Sequence, residues 1–241
     1  MVVPVQQPEN IGVCMRRFCV VLAAVLVILA AFSQLVLPGL MENRLGSSIR
    51  SALQAENVTV NMSALPGLRL LAGHADSIDI VVDKAQLGDI QVEKLTLHGE
   101  NVQADFSALD KRDGSAIRSA DSLEMTGTIT QQALQEMLEK KLDKVEKLEA
   151  VMDRDKLAAS GQVKFMGRTA EIHLEGRVLA KDGGVYFHMT QLDIRNAVFG
   201  QAVLGNFFGD ILLFDLYSSP VRAEIEDVEQ YDGYVVIRAK S

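Results

Sequence analysis

Between Arg17 and Glu42 the chain carries no charged residue. Phe18 to Phe32 is apolar at every position, and Ser33 and Gln34 are the only polar side chains before Pro38. With Leu35-Val36-Leu37 added, the run counted from Phe18 reaches 20 residues. At ~1.5 Å of rise per residue that is ~30 Å of helix, the thickness of a bilayer's hydrocarbon core. Arg16 and Arg17 lie on its N-terminal side, and the next basic residue downstream is Arg44. The positive-inside bias then leaves 1–17 in the cytoplasm, 18–39 as a transmembrane anchor or uncleaved signal, and 40–241 outside. This predicts a single-pass protein of the cytoplasmic membrane whose main domain faces the periplasm or outer face, where ATP and nicotinamide cofactors are absent.

Two fates are open for the segment. Ala31-Phe32-Ser33 is a passable cleavage site for a signal peptide, while the length of the run favours a retained anchor over a secretory core of ~7–15 residues. A buried core helix would show a polar face, and this stretch has none. Both cysteines, Cys14 and Cys19, lie at or inside the run. The exported part therefore has no disulfide and must be stabilised by the size of its core.

The whole chain has a formal net charge of −8. Setting aside Arg16, Arg17 and Glu9 leaves 22 basic and 31 acidic residues from Glu42 onward, a net −9. An acidic domain is a poor match for nucleic acid. Nor does it offer broad attraction to anionic head groups, so any lipid it handles is held by apolar contact.

Periodicity sets the fold class. Leu45, Ile49 and Leu53 share one face of an amphipathic helix over Leu40–Glu56. The period then falls to two. Val58, Val60 and Met62 alternate, as do Ile78, Ile80 and Val82, and Ile90 and Val92. Leu95 and Leu97 continue in the opposite phase, which predicts a bulge near Lys94. Val102, Ala104 and Phe106 follow, then a turn cluster at Asp110–Ser115 and a strand over Leu123–Ile129.

Thr130 is placed to cap a helix over Gln131–Val145, with Glu146–Leu157 extending it or forming a second. Strands resume around Val163 and Phe165, and around Ala170, Ile172 and Leu174. Asp182-Gly183-Gly184 marks a hairpin leading into Val185, Phe187 and Met189. Val221, Ala223 and Ile225 are placed to pair with Val235, Ile237 and Ala239 across Asp232-Gly233. One-faced strands interrupted by helices predict an antiparallel α+β domain.

Ala197–Tyr217 breaks the pattern. It holds Phe199, Phe207, Phe208 and Phe214, four of the chain's nine phenylalanines, and only two charges, Asp210 and Asp215. Gln201, Asn206 and Asp210 interrupt it too often for a second membrane span. It reads either as a buried core helix or as a helix or loop that lines an apolar cavity or touches a membrane.

Motifs for catalysis are missing. His74, His98, His173 and His188 are scattered and form no ligand motif, and there is no nucleophile elbow, P-loop or dinucleotide fingerprint. Asp76, Asp79, Asp83 and Asp89 lack calcium-loop spacing. Neither a metal nor a cofactor is expected, and an envelope hydrolase is the weakest of the function classes.

Leu65-Pro66-Gly67-Leu68, Leu70-Leu71-Ala72-Gly73, the Ile78-x-Ile80-x-Val82 strand and Lys94-Leu95-Thr96-Leu97 together resemble the LmeA-like family of bacterial envelope proteins, described as phospholipid-binding. Ile129–Leu134 and the closing Pro220–Ala239 segment resemble that family's mid-domain junction and terminal hairpin. The resemblance implies a curved antiparallel sheet wrapped on a long helix, similar to tubular lipid-binding domains, with an apolar groove for acyl chains. It supplies no ligand motif, so the candidate wall rests on the Phe-rich segment: Phe199, Val203, Phe207, Phe208, Ile211 and Phe214.

The expected function is therefore non-enzymatic binding, and conceivably transfer, of phospholipid or another acyl-chain lipid by a membrane-tethered domain. The alternative is a structural module docking on another envelope protein through 197–217.

Overall fold

The chain's computed structural model describes residues 11–105, 117–142, 145–165, 168–195, 210–215 and 223–241. The turn cluster expected at Asp110–Ser115 and the strand end at Phe106 lie outside these residues. The apolar run and the amphipathic stretch behind it form one continuous helix, α1, over Ile11–Ala52, with Pro38 inside it. At its C-terminal end Leu45 is buried, and Ile49 and Leu53 pack on the core, as their spacing predicts. Among the described residues no helix is long and apolar enough to cross a membrane. Most side chains of the expected span at 18–39 fall outside that description: those of α1 are described at Val25, Val27, Ala31–Gln34 and from Val36 onward.

The β part is antiparallel throughout, in two sheets. The seven-stranded sheet contains β1 (Asn57–Ser63), β2 (His74–Leu87), β3 (Ile90–Ala104), β4 (Ile117–Ser119) and β5 (Ser122–Thr130). The C-terminal hairpin β11 (Glu224–Tyr231) and β12 (Tyr234–Lys240) completes it. Its order is β1-β2-β3-β5-β12-β11, with β4 paired to β3. The second sheet has the order β10-β9-β8-β7-β6, from β6 (Val145–Met152), β7 (Leu157–Phe165), β8 (Arg168–Lys181), β9 (Gly184–Arg195) and β10 (Ile211–Asp215). The class expected from alternation is thus found, as a curled antiparallel sheet in an α+β chain.

Three local expectations are corrected. The phase change in β3 is real, but the register is not displaced: pairing runs Asp83↔Lys94 and then Ala85↔Val92. Both strands change face together, with Lys84 taking a positive φ of 52° opposite the switch. The helix after Thr130 is also short. α2 spans only Gln131–Lys141, so the helix that follows Thr130 is not the long one expected, and Val145–Met152 is a strand.

The misreading has a physical cause. A register shift between Glu146 and Glu149, with Lys147 at φ 54°, puts buried Val145 and buried Leu148 three positions apart and so imitates a helical step. Finally, Ile211–Asp215 is a strand, neither helix nor loop.

Other local signals translate directly. Thr130 Oγ1 accepts the Ala133 N–H at 3.2 Å and caps α2. Asp182 and Gly183 take φ of 47° and 74°, the paired positive values that a tight β8–β9 hairpin needs. α2 buries Ala133, Leu134, Met137 and Leu138 between the sheets.

The two sheets and α2 share one core, in which Val82, Ile129 and Val235 of the first sheet meet Leu157, Leu174 and Phe187 of the second. A smaller core of Leu45, Val60, Met62, Leu70, Ile78 and Val102 lies under the end of α1. There α1 meets a 3-10 turn, Gly67–Ala72.

Candidate functional site

Pairing register places one continuous apolar face across the seven-stranded sheet. One row across the strands is Val58, Val82, Leu95, Gly127, Ile237 and Val228. The adjoining row is Val60, Ile80, Leu97, Met125, Ala239 and Ile225. Directly paired residues point to the same side, so both rows share the face that carries the two cores.

One end of that face is covered by α1 and the 3-10 turn, the other by α2 and the second sheet. Between them Ile80, Leu95, Leu97, Met125, Ile225 and Val228 are only half-buried. An apolar strip with fully buried flanks and a half-open middle is what an acyl chain needs: it removes methylenes from water without requiring a polar partner.

Gly127 sits in the middle of the strip. A Cβ added there would lie 3.9 Å from both Leu95 Cδ1 and Val92 Cγ1, an ordinary contact distance. The glycine is therefore not forced by crowding, and it leaves a shallow dent in the floor. Sequence reading passed over it because a glycine in a strand has no periodicity of its own. Its position in the rows is visible only once β3, β5 and β12 are in register.

Of the six residues expected to form the wall, Phe199, Val203, Phe207 and Phe208 lie outside the described residues. Ile211 and Phe214 lie on β10, half-buried and packed against the main core. They face Phe187 and Val185 of β9, so the structure places them at the edge of the second sheet, on its inner side. Asp210, at the entry to β10, is tied down by His188 Nδ1 at 2.7 Å and Lys181 Nζ at 3.4 Å. The His188 hydrogen bond, with Lys181 adding, holds the Asp210 carboxyl below its usual range despite some desolvation.

A family model described as LmeA-like phospholipid-binding matches residues 33–240. The chain belongs to that family. The resemblance carried by Leu65–Gly73, the β2 alternation and the terminal hairpin is thereby confirmed. No curated protein and no solved structure matches the chain.

The outer face of the second sheet carries a nucleophile–base arrangement that the sequence alone does not reveal. Ser160 Oγ lies 2.8 Å from His173 Nδ1, and His173 Nε2 lies 3.2 Å from Glu175 Oε1. Ser160 and His173 line a cavity of about 530 Å³, together with Lys147, Glu149, Glu171, Asp193 and Arg195.

Two features argue against acyl transfer here. β7 and β8 are interior strands, so their N–H groups are spent in ladders and leave no donor pair for an oxyanion. Glu175 is also shared: Lys156 Nζ at 2.8 Å, ahead of His173, holds its pKa down. The cluster is a polar network that satisfies the outward side of the second sheet. Among the described residues no group of three His, Cys, Asp or Glu side chains is arranged to hold a metal ion.

Proposed function

We propose that this LmeA-like protein is a non-enzymatic lipid-binding protein of the cell envelope. It would be tethered by the apolar part of α1 to the cytoplasmic membrane, with residues 1–17 inside and the sheet domain outside. The acyl chains of a phospholipid lie along the strip that passes Gly127, with Ile211 and Phe214 bordering the neighbouring sheet.

The observation that carries this reading is the half-open apolar strip in a chain whose family is phospholipid-binding. Six strands at ~4.8 Å spacing make the strip about 24 Å across, room for an extended acyl chain. Ten buried methylenes contribute ~8 kcal/mol before ordering costs, so apolar contact suffices without a charged clamp. The tether is supported by the uncharged run from Phe18 to Met41 and the arginine pair ahead of it.

The test is lipid retention. The full chain, purified in detergent and washed, is extracted and its lipid identified by mass spectrometry, alongside uptake of a fluorescent phospholipid. Gly127→Leu fills the dent with a side chain that the site has room to accept at its base. Wild type is expected to retain lipid and take up the probe, and Gly127→Leu to lose most of both at unchanged secondary structure. Equal retention by the two, or no lipid on either, would sink the strip as the binding site. A change in oligomeric state on Phe207→Asp or Phe208→Asp, with lipid unchanged, would favour the docking-module alternative.

A further inference from the structure

The 3-10 turn over Gly67–Ala72 has two unlike sides. Gly67 and Leu70 are buried, while Leu68 and Leu71 are 53% and 59% exposed and Leu65, just ahead, is 70% exposed. Residues three apart eclipse in a 3-10 helix, so Leu68 and Leu71 form one outward row.

The turn's only cation, Arg69, is 45% exposed but paired with a carboxylate. Arg69 Nη1 meets Asp76 Oδ1 at 2.5 Å and the Leu65 carbonyl at 3.4 Å, while Asp76 Oδ2 accepts the Leu65 N–H at 2.7 Å. Three large aliphatic side chains are thus presented outward, with the neighbouring Arg69 charge neutralised by Asp76.

Their level along α1 is set by Gly67. A Cβ there would come within 2.7 Å of the Ser33 carbonyl oxygen, so the turn lies directly against the helix backbone at Ser33 and Gln34. Ser33 belongs to the uncharged run, whose first charge is Glu42, nine positions on and ~13 Å further along the helix axis. Glu42 in turn accepts the Met62 N–H at 2.8 Å, which marks where α1 meets the sheet. At the level of the turn the helix shows Phe32 outward, 62% exposed, beside the exposed Gln34, and Leu40, 57% exposed, continues the apolar surface toward Glu42.

We propose that Leu65, Leu68 and Leu71 insert into the outer leaflet of the bilayer, alongside the helix that spans it. This rests on the anchor reading and deepens it. The partner is a lipid surface, because the row continues the exposed apolar surface of α1 at the depth of an acyl–headgroup boundary and carries no charge for a polar partner. The buried side of the same turn, Leu70, belongs to the smaller core, which borders the strip on the sheet face. Insertion therefore holds one end of the strip at the leaflet that supplies the lipid.

The chain has no tryptophan, so a single introduced one reports its own surroundings. The full chain is reconstituted into vesicles of phosphatidylcholine and phosphatidylglycerol with or without brominated acyl chains. Tryptophan is placed at Leu68, at Leu71, at Val27 in the anchor, or at Val151, which is 64% exposed on β6 of the second sheet.

Insertion predicts blue-shifted emission and bromine quenching for Leu68→Trp and Leu71→Trp, strongest with bromines near the headgroup, and none for Val151→Trp. Quenching at Val27→Trp alone would overturn the insertion and leave the anchor standing, whereas quenching at neither would overturn both. Quenching at the turn without Val27→Trp would support insertion and overturn the anchor. Blue-shifted but unquenched emission from the turn would assign the leucines to a protein contact and overturn the proposal.

Discussion

Single residues in this protein act mainly by what their absence of bulk permits. Gly67 lets the turn press on α1, and its replacement by Ala must push the turn off the Ser33 carbonyl. Because the obstacle is backbone, Gly67→Ala is expected to cost about 1–3 kcal/mol in chemical denaturation. Gly127 is the opposite case, an open position whose filling is expected to spare stability and change lipid retention. The polar side contributes less. His98 Nδ1 lies 2.6 Å from Asp79 Oδ1 across β2 and β3, and that hydrogen bond raises the imidazole's pKa above its ordinary 6.5. A raised folded-state value stabilises when the ring is charged. The gain over His98→Asn is expected in full below about pH 6.5 and lost as the pH rises through the raised value, read as the difference in Tm across a pH series.

At the scale of elements, α2 fastens the two sheets together. It follows β5 of one sheet and leads into β6, an edge of the other, and two of its glutamines bond to that edge. Gln135 Nε2 donates to the Leu148 carbonyl at 2.9 Å, and its Oε1 accepts the Ala150 N–H at 3.2 Å. Gln131 Oε1 accepts the Met152 N–H at 2.8 Å. These side chains stand where a neighbouring strand's peptide groups would be, which is how β6 ends its sheet without an open edge. Gln135→Ala strands one donor and one acceptor in a half-buried place and is expected to cost about 1–3 kcal/mol. Thr130→Ala removes only the cap and is expected to cost about 1 kcal/mol. Urea unfolding of the two variants and their combination tests whether the costs add.

Alternation of period two named most strands correctly because each has one face in a core and the other in water. The exceptions were places where the backbone breaks the alternation, by a register shift at Lys147 and by the positive φ of Lys84, where β2 and β3 change face with no residue inserted. There the side-chain period is no longer a guide to the backbone, and a strand such as Val145–Met152 reads as helix. β10 was missed for another reason. It is apolar on both faces of the reading, as an edge strand against a core can be, and flanking glycines hid its length.

Over the whole molecule, charge and apolar surface are kept apart. The part from Glu42 on is net −9, while the strip carries no charge and the one cation of the leucine turn, Arg69, is paired with Asp76. Capture by apolar contact alone predicts that uptake of phospholipid from zwitterionic vesicles is indifferent to salt. From anionic vesicles it should quicken as salt screens repulsion between bilayer and domain. A stopped-flow transfer assay at low and physiological ionic strength distinguishes this from a charged headgroup clamp, which would slow with salt in both.

The sequence by itself determined the antiparallel α+β class and the family, and it raised the expectation of an envelope compartment and an apolar ligand. These depend on composition and on short periods, which the chain displays along its length. It could not locate the site. The strip is assembled from β1, β2, β3, β5, β11 and β12, whose order in space departs from their order in the chain, and its most informative residue is a glycine. Likewise the leucine turn reads as an ordinary loop until Gly67 is seen against Ser33. A surface built from residues far apart in sequence leaves no local pattern, so only the tertiary structure could bring together the surfaces proposed to meet an acyl chain and a bilayer.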